Sequence, residues 1–220
     1  MYNKILTGIL VVLLIGIVGT LAYLGYGYYD KFKKEKDGEK YIDEDFEQIV
    51  VSLKDNEQNN TEPQENQNQN SNQNNGQYSN NTDISSGYYK GYKVAGKLEI
   101  PKLGKRFVIL DEPTKAQAIE VSILKVYGVQ LNTPGNVVIA GHNYNNGTFF
   151  SKNKNLNVGD KLYITDLTGN RVSYTIFSKY YTPESDNSYY TRDTNGNVEV
   201  TLYTCDATGA NRLIICARAD

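Results

Sequence analysis

Histidine is nearly absent from this 220-residue chain: His142 is the only one. Cysteine occurs twice, at Cys205 and Cys216, and tryptophan does not occur. Two cysteines allow at most one disulfide, which excludes a disulfide-stapled scaffold. One imidazole and two thiols fall short of the ligands of an ordinary zinc site. An excess of basic charge is also missing. With 23 basic and 25 acidic residues the net charge is −2, which leaves no electrostatic footprint for nucleic acid. No Gly-x-Ser-x-Gly, P-loop or dinucleotide fingerprint is present. Any chemistry that needs an imidazole must therefore use His142.

Long apolar runs are limited to one. Ile5 to Tyr26 carries no charge and is dominated by Ile, Leu, Val and Gly, about the length that crosses a ~30 Å hydrocarbon core as a helix. Tyr23, Tyr26, Tyr28 and Tyr29 at its far end fit an aromatic belt. A cleaved signal peptide is the competing reading, but the run exceeds a typical apolar core of such peptides and no Ala-x-Ala site follows. The anchor reading is preferred. Lys31, Lys33, Lys34 and Lys36 outnumber Lys4 across the run, so charge bias alone would keep the remainder of the chain in the cytosol.

From Asn56 to Asn81 roughly two-thirds of the residues are Asn or Gln, with almost nothing apolar, and such a segment cannot offset its ordering entropy. A spacer is the plain reading; an aggregation-prone or partner-binding tract is the sharper one. Residues 30–51 mix charge with Phe32, Tyr41, Ile42, Phe46, Ile49 and Val50, and fit a short helix at the membrane or docked on a domain. The chain thus divides into an anchor (1–29), a juxtamembrane segment with an Asn/Gln-rich linker (30–87) and a folded domain (88–220). A flexible connection of ~55 residues would give that domain an r.m.s. reach of ~40 Å.

In the folded part, Lys97 to Ile100 and Arg106 to Leu110 read as strands around a Lys-Leu-Gly turn. Thr114 is a candidate N-cap for a helix running to about Tyr127. Val137 to Ala140 reads as a buried strand, and Lys161 to Thr165 with Arg171 to Ser178 as a hairpin through Thr168-Gly169-Asn170. Val198 to Thr204 and Leu213 to Ala217 complete the set. Many short strands with one or two short helices predict a mainly β fold, a closed or nearly closed barrel.

Three segments carry candidate chemistry. Thr201-Leu202-Tyr203-Thr204-Cys205 ends in a thiol; strict alternation puts Val198, Val200, Leu202 and Thr204 on the apolar face and Cys205 on the other. His142 follows Val137-Val138-Ile139-Ala140-Gly141, and Arg212 opens the last apolar strand. Singly, each has an ordinary role: a buried small hydrophobe, a loop histidine, a solvated strand-end charge. Together a thiol, an imidazole and a guanidinium can attack a carbonyl and hold the oxyanion. Papain-like proteases place Cys before His, the reverse of the order here, and the His-Gly-Cys arrangement of the L,D-transpeptidases is absent.

In that order the three segments resemble the sortase family of cysteine transpeptidases, whose Thr-Leu-x-Thr-Cys signature is matched in full. The resemblance spans roughly the last 125 residues and implies an eight-stranded barrel behind an N-terminal anchor, with the domain outside the cell. It further implies that the Cys205 thiolate attacks the Thr–Gly carbonyl of an LPxTG-like sorting signal. His142 would donate to the leaving amine, Arg212 and backbone near Thr204 would steady the oxyanion, and an amine of a wall precursor or pilin would resolve the thioester. A thiol near 8.5 and an imidazole near 6.5 give under about one per cent of thiolate–imidazolium pair at pH 7, so pKa values must shift or a small population must carry turnover; the family is thought to do the latter.

Residues 180–197 lie where the family places its specificity loop, making Tyr189 and Tyr190 candidate substrate contacts beside Thr204. Glu184 and Asp186 could bind calcium, although a solvated loop is the simpler reading and no cofactor is expected. The absence of an Asp-Pro-aromatic lid and of a second apolar anchor after Ala217 favours an attaching enzyme of class B or D type over a pilin-polymerising class C enzyme. Cys216 shares a face with Arg212 and is a core cysteine or a redox partner of Cys205. A tethered non-catalytic binding module and a simple hydrolase are the rival functions.

Overall fold

The computed structural model describes residues 2–59 and 87–220. Helix α1 (Tyr2–Glu44) is followed by α2 (Phe46–Asn59). Nine strands then follow: β1 (Tyr88–Tyr89), β2 (Tyr92–Ile100), β3 (Lys105–Leu110), β4 (Ile123–Gly128), β5 (Gly135–Ala140), β6 (Lys161–Asp166), β7 (Arg171–Pro183), β8 (Val198–Cys205) and β9 (Asn211–Ala219). Neighbours run β2-β3-β4-β5-β8-β9-β7-β6, and β6 pairs back onto β2, so eight strands close a barrel while β1 extends β2 as a hairpin. The pairs β3–β4 and β5–β8 are parallel and the others antiparallel.

Alternation fills the barrel. Val200 and Leu202 of β8, Ile139 of β5 and Ile215 of β9 point into one apolar cluster with Leu98 and Phe107. The expected β6–β7 hairpin is present, its turn pinned by Asp166, whose carboxylate accepts from the Thr168 and Asn170 backbone N–H groups at 3.0 Å each.

The expected helix from Thr114 to Tyr127 is not formed. A 3-10 turn covers Ala116–Glu120 and the chain then enters β4, with Ile109 opposite Ile123. Val121, Ile123, Val126 and Tyr127 are β-branched or aromatic and favour a pleated, half-buried surface. Strand β4 also bridges β3 and β5, so a helix there would leave the barrel open.

Helix α1 is 43 residues long. Its apolar half is fully exposed and is long and apolar enough to cross a membrane. Its second half does not leave the protein. Tyr41 and Ile42, with Phe46, Ile49 and Val50 of α2, are buried in a second cluster against Val94, Val108 and Leu110 on the outside of the barrel. Ion pairs Arg106–Asp43, Lys105–Glu35 and Lys97–Glu47 flank this seam. Of the two placements open for residues 30–51, docking on the domain is the one adopted. The spacing between apolar segment and barrel is therefore set by a helix rather than by a ~40 Å flexible reach. Helix α2 runs on to Asn59, four residues into the Asn/Gln-rich tract; the remainder of that tract lies outside the described residues.

Candidate active site

Strand β8 ends at Cys205, directly opposite Arg212 at the start of β9. Opposed residues of an antiparallel pair project from the same face with Cβ atoms ~5 Å apart, so thiol and guanidinium are neighbours outside the barrel. The connection between them is prefolded. Asp206 accepts from the Thr208 backbone N–H (3.0 Å) and from Asn211 Nδ2 (2.9 Å), and its backbone pairs with Asn211 (2.8 Å). Hydrogen bonds from the Asn211 side chain and then from the Thr208 hydroxyl (2.8 Å) hold the Asp206 carboxyl down at about 2. Cys205 is part-exposed and lines a small cavity of about 80 Å³ with Asn143, Asn145, Lys154, Tyr181 and Asp206.

His142 arrives from the adjacent strand. Ala140 of β5 is in register with Tyr203 of β8, and His142 lies two residues past the one as Cys205 lies two past the other. Two bonds stitch the ends together: Thr204 Oγ1 donates to the Gly141 carbonyl at 2.6 Å, and Asn143 Nδ2 donates to the Cys205 carbonyl at 2.9 Å. Gly141 is required for space, because a Cβ there would lie 2.6 Å from the Phe150 ring. Its φ is not positive, so close packing rather than backbone freedom is what calls for glycine here.

Around His142 lies a charged group with no counterpart in the sequence argument. Nε2 is 2.9 Å from Oε1 of Glu120, at the end of the 3-10 turn, but off the ring N–H direction, so the contact is charge proximity rather than an aligned hydrogen bond. The other carboxylate oxygen accepts from Tyr144 Oη at 2.9 Å and from Lys31 Nζ of α1 at 3.0 Å. Burial lowers the His142 pKa below its ordinary value, Glu120 pulls it back up, and Lys31 and Lys34 push it down. Burial alone would raise the Glu120 carboxyl; hydrogen bonds from Lys31 and Tyr144 and the nearby imidazole outweigh it and hold it low.

Arg212 is largely covered and ion-paired to Glu184, and its other branch donates to the Gly209 carbonyl at 3.3 Å. Asp186, the second acidic residue of this loop, accepts from Thr182 Oγ1 and from the Ser188 backbone N–H. Among the described residues no three His, Cys, Asp or Glu side chains group to hold a metal.

The structure gathers His142, Cys205 and Arg212 at the ends of three adjacent strands. The three candidate substrate contacts are placed differently. Thr204 is buried with its hydroxyl committed to Gly141. Tyr189 is buried beside Val138, Ile214 and Cys216. Tyr190 is half-exposed and bonds Tyr203, two residues from Cys205 on the same face, at 3.1 Å. Segment 184–197 is fastened through Arg192 to Glu199, a buried carboxylate also held by Arg218 at 2.7 Å. Cys216 is buried opposite Thr201, four positions from Arg212, or ~13 Å along the strand. Both thiols are free, and burial pushes that of Cys216 up. Glu120, Asn143, Tyr144 and Lys31 carry no local signal in the sequence, because their roles depend on contacts between distant segments.

Comparison with known proteins accords with this geometry. Residues 98–220 match the family model of the Sortase domain. The chain is similar to a solved sortase D5 transpeptidase of Clostridium perfringens at 27% identity, covering 58% of this chain and 79% of that one with a TM-score of 0.52. Sortase A from Corynebacterium diphtheriae, a lid mutant, is 24% identical over 59% of this chain and 71% of that one, with a TM-score of 0.53. Sortase C1 from Streptococcus suis is 17% identical over 59% and 74%, also at 0.53. The last two speak for the fold. No curated protein matches the chain in sequence.

Proposed function

Given that the chain belongs to the sortase family, we propose that it is a membrane-anchored cysteine transpeptidase that cleaves an LPxTG-like sorting signal between Thr and Gly and transfers the protein to a cell-wall amine. The observation that carries this is the convergence of the chain's only imidazole, a part-exposed thiol and a guanidinium on adjacent strand ends of the family's barrel. In the cycle, the Cys205 Sγ–C bond forms as the thiolate attacks the Thr carbonyl, and Arg212 holds the developing oxyanion. His142 passes its proton to the departing glycine nitrogen as the C–N bond breaks. An incoming amine, deprotonated by His142, then attacks the thioester and releases Cys205. No cofactor enters these steps.

The exposed apolar half of α1 supports anchoring, and the surface chemistry of the family supports an extracytoplasmic domain. The lack of an Asp-Pro-aromatic lid segment in the sequence supports an attaching role over pilin polymerisation. Tyr190 and the cavity beside Cys205 are the proposed walls for the signal peptide. Turnover of a fluorescent LPxTG-like peptide, with and without an amine acceptor, tests the reading. Product carrying the amine, lost by ~10³-fold or more in Cys205→Ala and His142→Ala, is expected. Cleavage to the free acid at an equal rate whatever the amine concentration would make the protein a hydrolase instead. Binding without turnover would make it a binding module.

A further inference from the structure

The helix that carries the proposed anchor reaches the site itself. Lys31 and Glu35 stand four residues apart on one face of α1, and both meet the surroundings of His142. Lys31 donates to Glu120 at 3.0 Å and lies 4.4 Å from the centre of the Tyr144 ring, which itself contacts the imidazole at 4.9 Å between centroids. Glu35 is a buried carboxylate. It pairs with Lys105 and accepts the Phe149 backbone N–H at 2.6 Å. Phe149 sits at φ 50°, where a bulky residue is strained, and it bridges to Asn143, the residue after His142. A buried carboxylate from α1 therefore holds a strained residue of the His142 loop in place.

We propose that this turn of α1 is a working part of the active site: Glu120 is the positioning residue for His142, and Lys31, by drawing on the same carboxylate, sets how much of its charge the imidazole receives. The inference rests on His142 being the acid–base group of the proposed transpeptidase. The charged or titratable groups facing His142 are Glu120 from the 3-10 turn, Lys31 and Lys34 from α1, and Tyr144 from its own loop. Glu120 favours the imidazolium and the two lysines oppose it. Removing the Glu120 charge thus favours neutral imidazole, and removing the Lys31 charge favours imidazolium. In a mechanism that needs thiolate and imidazolium together, the first depletes the competent population and the second enriches it.

Having a single histidine gives the test one unambiguous signal. Full-length protein without a histidine tag, labelled with ¹³C-histidine and held in detergent micelles, is titrated by NMR as wild type, Glu120→Gln, Lys31→Met and Lys33→Met. Lys33 is an exposed lysine of the same helix turn and controls for net charge. The His142 midpoint is expected to fall in Glu120→Gln, to rise in Lys31→Met and to stay in Lys33→Met. In the pH profile of turnover the acid limb should move the same way, with kcat about ten- to a hundredfold lower in Glu120→Gln and KM within about twofold. Midpoints unchanged in Lys31→Met and Glu120→Gln, or Lys31→Met matching Lys33→Met, would overturn the proposal. Midpoints that shift as expected in a protein that turns over no peptide would uphold this coupling while removing the transpeptidase reading.

Discussion

Thr204 shows how a signature residue can build the site it belongs to. Its buried hydroxyl donates to Gly141, the residue before His142, so it ties the histidine strand to the cysteine strand. Thr204→Val keeps the shape and removes the donor, and should cost about 1–3 kcal/mol. Thermal unfolding should show a midpoint several degrees lower, and turnover should fall with it. Glu184→Gln should act oppositely. The Arg212–Glu184 pair is exposed on its acidic side, where such pairs contribute ~0.2–1 kcal/mol. Freeing Arg212 should leave the melting temperature nearly unchanged and raise kcat/KM up to about fivefold, measured with a sorting-signal peptide. At this scale the thiol, imidazole and guanidinium were legible because each ends or opens a strand with an apolar pattern. Glu120 was not, because nothing local to Ala116–Glu120 distinguishes it from a solvated acid until β4 and α1 are placed beside it.

Among elements, the strands with strict alternation or continuous apolar runs were readable, and β5, β6, β7, β8 and β9 lie where their patterns put them. The segment after Thr114 misled, since a capping residue outweighed the β-branched content of Val121 to Tyr127. Tertiary pairing decided the matter, as β4 is held by β3 on one side and β5 on the other. Strand β5 also gives a test of element placement. Gly141→Ala would force a Cβ into the Phe150 ring, and overpacking of this kind costs about 1–3 kcal/mol. Chemical denaturation should show that loss with an unchanged m-value, and peptide turnover should drop because the His142 loop is displaced from Cys205.

At the scale of the molecule, helix and barrel form one body. An apolar run followed by a charged amphipathic stretch signalled both an anchor and a dockable helix, but only the fold shows that the apolar run continues as one helix to Glu44 and is seated, together with α2, on β2 and β3. Glu120 and His142 consequently lie close to the end of the apolar run, since Lys31 follows Tyr26 by five residues, or ~8 Å of helix. A protein beginning at Tyr88 would expose Val94, Val108 and Leu110 to water. A chain of residues 30–220 should therefore melt at least ~5 °C higher than one of residues 88–220, equivalent to about 1–2 kcal/mol in a domain of this size.

The central claim, covalent transfer through Cys205, is tested most directly by intact-mass spectrometry of the full-length protein mixed with LPxTG-like peptides. The account predicts one adduct whose mass equals the peptide up to the Thr–Gly bond, absent in Cys205→Ala and discharged when an amine is added. A folded protein with free thiols that forms no adduct with any such peptide, or an adduct that persists in Cys205→Ala, would contradict it.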